Sequence, residues 1–485
     1  MSERPLNIVL LMTDEHRADH VSFLPGSRVQ TPNMDRLAGS VGFGQCITSN
    51  PICTPARCAL LTGRYTRQIQ MLDMSGDLDW RHPTYLRALQ RQGYHTSAVG
   101  KLHWWQGWRW GTPTGRGHDL VAAEEEICRY GLDSVWEVSG KQLAVRNDCR
   151  YIEHLRAKGL DGQYREFVER CGPNNDDLIR NVQDLNPWPF AEEDYIDVVT
   201  ADRIIEAIRR RPTDRPFILF GSFCSPHQPF DPPARYIEQV PEQDLGDVIP
   251  GAEPLGEATA QRLRRLKRGY KAMIRLVDDQ VGRILEVMAA EGLMDNTVIL
   301  FTADHGEMLG DHGRVQKSTW HDGSARIPCA IRHPRHLDGR VVNTPVELTD
   351  LTATILDVAG LEPGAALSMD WPSYNDRVPC RSLMPIVRGE ADRVRDFAYS
   401  ECRDRWQMLR CDDFTYVRQR TGAGPGEVRE MLFDRRRDPA ERVDEVANPE
   451  CAQTLAWYRQ QREWISDYYV PVQHRWAPSR DGGRL

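Results

Sequence analysis

The sequence predicts an α/β fold with a large, mainly parallel central sheet flanked by helices and a smaller C-terminal α+β domain. Three observations predict it. Short continuous apolar runs recur along the chain, as in strands covered on both faces. Helical repeats separate them. After about Gly389 the runs become short and closely spaced, as in an antiparallel sheet.

The strands come first. Residues 8–12, 96–99, 217–220 and 298–301 are β-prone runs bounded by polar residues or Gly. Thr31 followed by Pro32 reads as a helix start, and 83–92 as a helix stopped by Gly93. The longest helical pattern covers 259–291. Leu263, Leu266, Tyr270, Met273, Val277, Val281, Ile284 and Met288 repeat at three- or four-residue spacing, and Gly292 ends it. Residues 104–197 read as loops and short helices over the site, and the Pro-rich 231–255 as loop. Residues 397–401, 406–411, 415–417 and 430–434 read as short antiparallel strands, and 451–469 as a terminal helix. The division expected is 1–389 for a catalytic domain and 390–485 for the C-terminal subdomain.

Composition narrows the function. The chain has 485 residues, 40% hydrophobic and 27% charged, with a net charge of -8. That argues against a nucleic-acid surface yet leaves room for a local cationic pocket. No apolar run reaches membrane-spanning length, and the run after Met1 lacks the pattern of an export signal, so a cytoplasmic protein is expected. The 12 cysteines form no paired framework. Cys46, Cys58, Cys128, Cys149, Cys171, Cys224 and Cys329 read as reduced bystanders or small core residues.

Chemistry collects at the strand ends. In open α/β sheets, ligands bind at the carboxyl ends of strands. Four runs end in Asp14-Glu15, Lys101-Leu102-His103, Ser225-Pro226-His227 and Asp304-His305-Gly306. Each alone reads as a turn or cap. Together, Asp14, Glu15, Asp304 and His305 form a candidate divalent-metal set; carboxylates suit calcium, magnesium or manganese, and a His suits manganese or zinc better than calcium.

The sharpest signal is Cys53-Thr-Pro55-Ala-Arg57, followed by Leu61-Thr62-Gly63-Arg64. Pro55 marks a helix beginning and Gly63 its end. Cys53 then lies at a helix N-terminus, where an anion is favoured, and Arg57 follows one turn later with a fork able to grip the same anion. As a plain thiol, Cys53 is an activated-nucleophile candidate.

In these residues the chain resembles the formylglycine-dependent sulfatases of the alkaline-phosphatase superfamily. The likeness runs from Asn7 to about Pro334, with a looser match at Leu432-Phe433-Asp434 and Asp438-Pro439. It implies an alkaline-phosphatase-like fold and Cys53 oxidised to formylglycine by a separate generating enzyme. It also implies one divalent metal, Ca2+ in first place and Mn2+ second, on Asp14, Glu15, Cys53, Asp304 and His305. Glu15 stands where the family usually has Asp. Lys101 and His103 match its Lys-x-His, His227 its Pro-His, and Lys317 its later Lys. His312 resembles a family variant and is assigned no chemistry.

The implied mechanism is attack of the hydrated aldehyde on sulfur, with Asp304 helping to hold the attacking oxygen. Arg57, Lys101, Lys317 and the metal neutralise the sulfate oxygens. His227, aided by Lys317, protonates the leaving oxygen, and His103 takes a proton so that sulfate is expelled. Trp104, Trp105, Trp108 and Trp110 follow the Lys-x-His, as a stacking surface or as packing. The expected substrate is a small sulfate ester, with no nucleic acid and no membrane; a homo-oligomer is compatible with the sequence. The competing readings are a phosphonate monoester hydrolase or phosphodiesterase with the same formylglycine, a non-catalytic anion binder with unmodified Cys53, and a zinc phosphatase or phosphomutase.

Overall fold

The structure, a computed structural model, describes residues 5–74, 76–105, 118–172, 184–369, 377–422 and 427–466. Trp108, Trp110 and the end of the expected C-terminal helix lie outside the described residues.

The main sheet has nine strands: β1 (Asn7–Asp14), β2 (Val41–Ile47), β3 (His95–Gly100), β4 (Ser134–Glu137), β5 (Phe217–Pro226), β6 (Thr297–Ala303), β7 (Arg326–Ile327), β8 (Cys329–Arg332) and β9 (Arg340–Glu347). Their order is β4-β3-β5-β1-β6-β8-β2-β7, with β9 also paired to β2. The block β4-β3-β5-β1-β6 is parallel throughout. β8 runs antiparallel to β6 and to β2, and β7 antiparallel to β2.

Side chains alternate across β1, and both faces are covered. Ile8, Leu10 and Met12 join the core under helices Cys53–Thr62, Tyr85–Arg91 and Asp350–Val358. Val9 and Leu11 face helices Ile196–Arg210 and Glu257–Ala290. Double coverage explains why these strands read as unbroken apolar runs.

Two expectations change. The segment 104–197 holds a sheet strand, β4, besides its short helices. Ser134–Glu137 is short and half-exposed on the sheet edge, so it carries no apolar run to read. Residues 231–255 include two short helical turns, Ala234–Glu238 and Glu242–Leu245.

The C-terminal strands are β10 (Ala398–Cys402), β11 (Trp406–Arg410), β12 (Phe414–Arg420) and β13 (Val428–Asp434), an antiparallel meander. One face, with Tyr399, Leu409, Tyr416 and Leu432, packs on helix Ala452–Ser466 through Leu455, Tyr458 and Ile465. The other, with Trp406, Met408, Val417 and Phe433, packs on Ile47, Ile52 and Ala325. No two of the 12 cysteines are joined in a disulfide. Among the described residues, no helix is long and apolar enough to cross a membrane.

Candidate active site

Four adjacent parallel strands deliver the site. β3, β5, β1 and β6 end in Gly100, Pro226, Asp14 and Ala303, directly before or at Lys101, His227, Asp14 and Asp304. Thr13 pairs with Ala303, so Asp14 and Asp304 follow at the next step of the two strands. Gly100 pairs with Ser222 and has φ +104; a Cβ there would lie 1.9 Å from the Ser222 carbonyl oxygen. Only Gly lets β3 approach β5 this closely while turning Lys101 into the site.

Helix Cys53–Thr62 enters from the loop after β2. It begins at Cys53 itself, two residues before Pro55, so Pro55 lies in the first turn, where a missing N–H costs nothing. Gly63 closes it with φ +64 and donates to Ala59 O at 2.8 Å. Cys53 is thereby held at the N-terminal end, buried.

Around Cys53 Sγ stand His305 Nε2 at 3.1 Å, Lys317 Nζ at 3.4 Å, Lys101 Nζ at 3.8 Å and Asp14 Oδ1 at 3.8 Å. Burial, and next Asp14, push the thiol up to about 11, despite Lys101 and Lys317. At neutral pH an unmodified Cys53 is a protonated thiol.

Arg57 differs from its expected role. Its Nε donates to Asp304 Oδ2 at 2.8 Å, Nη1 to Ser222 Oγ at 2.8 Å and to Lys101 O, and Nη2 to Asp14 Oδ2 at 3.4 Å. The guanidinium clamps two carboxylates and two strand ends instead of presenting a free fork to an anion. Lys101 and Lys317 are the cations flanking position 53: Lys101 Nζ pairs with Asp14, and Lys317 Nζ lies 3.2 Å from Glu15 Oε2.

Three histidines have their tautomers set by backbone carbonyls, which only accept. His305 Nδ1 donates to Gly306 O at 3.0 Å, leaving the Nε2 lone pair toward Cys53 and the carboxylates. His227 Nδ1 donates to Gln228 O at 2.7 Å, leaving Nε2 3.2 Å from Glu15 Oε2. His103 Nε2 donates to Ser139 O at 3.0 Å, leaving a buried Nδ1 with no hydrogen-bond partner. Burial, with Lys317 and Lys101 beside it, holds His227 well below the usual imidazole range; burial, with Lys101 and Arg57, does so for His103.

The metal set is present. Asp14, Cys53, Asp304 and His305 each bring a ligand atom within 4.8 Å of the others. Their oxygen and imidazole donors, with the His305 lone pair already oriented, fit a divalent cation. Glu15 stands at the edge of this set, grouped with Asp14 and His227. It is a non-glycine residue at φ +63, and its N–H donates to Asp304 Oδ1 at 3.0 Å. Tyr270 Oη donates to its carbonyl at 2.7 Å. Glu15 Oε1 is buried with no hydrogen-bond partner, and burial, against the pull of Lys317, raises the carboxyl to about 8. Asp14 goes the other way: burial opposes ionisation, but Lys101, His227, Arg57 and Lys317 together hold it well below the carboxylate range.

Glu137 is a site neighbour that sequence reasoning missed. It ends β4, is buried, and accepts a long 3.4 Å bond from His103 N–H. The strand-end rule would have found it had β4 been legible. Trp104 is core, stacked on Phe220 with ring centroids 5.7 Å apart. Trp105 is partly buried against both main cores, and His312 lies against His321 at 3.9 Å between centroids.

Comparison with known proteins agrees with this geometry. The Sulfatase family model matches residues 6–361. The chain is 28% identical over 484 residues to an arylsulfatase of Clostridium perfringens, covering 93% of this chain and 92% of that one. It is 26% identical over 482 residues to a choline-sulfatase of Rhizobium meliloti, covering 91% and 83%. Its fold matches the crystal structure of the phosphonate monoester hydrolase of Agrobacterium radiobacter with a TM-score of 0.76 and 23% identity, covering 96% of each chain. That likeness is one of fold. Because one family spans most of the chain and its strand ends converge on Cys53, this protein belongs to the sulfatase family, hydrolases that cleave sulfate esters.

Proposed function

We propose that the working form carries formylglycine in place of Cys53, made by a formylglycine-generating enzyme, and one divalent cation. Calcium is the first choice, with manganese the alternative that the His305 nitrogen favours. Asp14, residue 53, Asp304 and His305 would hold it, with Glu15 at the edge. The cation supplies Lewis-acid polarisation of oxygen, and the aldehyde supplies a hydrate that can bond sulfur and later release sulfate. The single observation carrying this reading is the surround of Cys53: a buried side chain at a helix N-terminus, between two lysines and within a metal-type donor set.

The chain's own residues then divide the work. Lys101 and Lys317 face the sulfate oxygens from two sides and offset charge as the ester bond breaks. Arg57 holds Asp14 and Asp304 in register. His227 presents Nε2 and, once protonated, gives its proton to the leaving oxygen. His103 Nδ1, with no other partner, receives the proton when sulfate leaves. Residues 1–389 would form the catalytic domain and 390–485 the subdomain beside it. The other eleven cysteines, none joined in a disulfide, support a cytoplasmic location.

Mass spectrometry of the peptide spanning residue 53, paired with rates on aryl sulfate, aryl phosphonate and phosphodiester, tests the reading. We expect an aldehyde and preference for the sulfate. Full turnover by an unmodified thiol sinks the formylglycine assignment. Preference for phosphorus esters by orders of magnitude makes the chain a phosphonate or phosphodiester hydrolase instead.

A further inference from the structure

A second cationic pocket lies away from Cys53, on the C-terminal sheet. It is a cavity of about 240 Å³ whose walls include Arg67, Arg405, Arg418, Arg420, Arg462 and Trp406. Arg418 and Arg420 share one face of β12, and Gln407 stands opposite Arg418 on β11. Arg420 N–H donates to Arg405 O at 2.7 Å, which ties the end of β12 to the turn that carries Arg405. Arg462 reaches in from helix Ala452–Ser466.

The charges there are unbalanced. Arg67 is paired, with Glu401 at 3.1 Å and with Asp404, a carboxylate on the rim, at 2.9 Å. Among the described residues, Arg405, Arg418, Arg420 and Arg462 have no carboxylate within ion-pair distance, and Arg462 Nε is buried with no hydrogen-bond partner. This is not a general property of the sheet. Nearby, Arg459 pairs with Glu430 at 2.6 Å and Arg429 with Asp444 at 3.1 Å. Five guanidiniums share this pocket with Asp404, and Glu430, opposite Arg418 on β13, is already engaged by Arg459. A multiply charged oxyanion offsets the remaining excess of positive charge while accepting the forked donors. The pocket also touches the reaction centre's scaffold: the Trp406 indole N–H donates at 3.0 Å to the carbonyl of Ser318, the residue after Lys317.

We propose that this pocket is a second oxyanion site, taking a sulfate or phosphate group either free or carried on a larger ligand. The inference stands on the C-terminal arginines and does not depend on the chemistry at residue 53.

Isothermal titration of the full chain with inorganic sulfate, at constant ionic strength, tests it. We expect a binding site that is lost in Arg418→Ala/Arg420→Ala and weakened about tenfold in Arg405→Ala. Arg405 sits on an exposed turn, so the single variant guards against misfolding of the double one. Hydrolysis of a small aryl monosulfate should be unchanged in both. A substrate bearing a second sulfate separates the sources. If its kcat/KM falls about tenfold in the variants while that of the monosulfate holds, the pocket grips the substrate's second group. If neither rate changes but sulfate binding is lost, it holds free sulfate. Sulfate binding unaltered in both variants overturns the proposal.

Discussion

Arg57 Nε donates to Asp304 Oδ2 at 2.8 Å, and through this bond the helix that begins at Cys53 is fixed to the carboxyl end of β6. Both side chains are wholly buried. The remaining donors of Arg57 reach Asp14, Ser222 and Lys101 O, so one guanidinium ties four strands, β6, β1, β5 and β3, to the helix. A Lys cannot reproduce that planar fork. Arg57→Lys should lower kcat/KM at least about 100-fold and destabilise the chain by about 3 kcal/mol, because Asp304 loses its forked partner while Asp14 keeps only Lys101. Urea unfolding and aryl-sulfate kinetics measure the two effects; a variant with wild-type values for both refutes the clamp.

Replacing Cys53 with Ala should abolish turnover while leaving the fold intact. The side chain is small, and its Sγ is held by site residues more than by core packing. Near-wild-type hydrolysis by this variant would remove position 53 from the chemistry altogether.

Lys317 Nζ lies 3.4 Å from Sγ and 3.2 Å from Glu15 Oε2, and no other cation is seen in contact with Glu15 among the described residues. Lys317→Met should cost about 10²–10³ in kcat/KM, as for loss of one charge-stabilising donor. A change confined to KM would instead make Lys317 a substrate anchor with no differential role in the transition state.

Much of this arrangement was legible in the sequence. Asp14, Lys101, His227 and Asp304 follow buried strands, and strands covered on both faces write themselves as unbroken apolar runs. What failed to show has physical causes. β4 lies at an edge with half-exposed polar residues, so Glu137 had no strand to be at the end of. β2 is interrupted by Gly42 and Gly44, and β9 starts with exposed residues. Arg57 was placed correctly by its one-turn spacing from Cys53, but spacing gives reach and not partners. Asp14 and Asp304 arrive from strands remote in the chain, and they took the donors expected to face an anion.

Acid should destabilise the fold before it titrates ordinary carboxylates. Burial depresses His20 to about 4, against the opposing pull of Asp19, and burial with Arg64 depresses His82 to about 4. Their reference value is 6.5. Between these limits the unfolded chain binds protons that the folded chain refuses, so stability falls as pH drops from 6.5 toward 4. Each group should remove about 1 kcal/mol between pH 7 and 5.5. Urea midpoints measured across that range follow the loss. Glu15 and Glu137, both raised to about 8 by burial, add stability as pH falls and work against it. The test is therefore by difference: the acid loss should shrink in His20→Gln and in His82→Gln. An unchanged pH slope in both variants contradicts the neutral buried state of the imidazoles.

Chelation should separate activity from folding. Each carboxylate at the metal set already has a cation against it: Asp14 has Lys101 and Arg57, Asp304 has Arg57, and Glu15 has Lys317. No ligand carboxylate is left facing only apolar burial when the cation leaves, so the apo chain should keep a cooperative unfolding transition. The loss of stability should be that of linkage alone, about 2.7 kcal/mol relative to metal at 100 times its dissociation constant. Turnover should vanish with a chelator and return with calcium or manganese, whichever the site prefers. Thermal melts with and without chelator, alongside aryl-sulfate rates, distinguish the outcomes. Undiminished turnover in the chelated protein sinks the metal assignment. Collapse of the cooperative transition shows instead that Lys101, Lys317 and Arg57 do not balance these buried acids on their own.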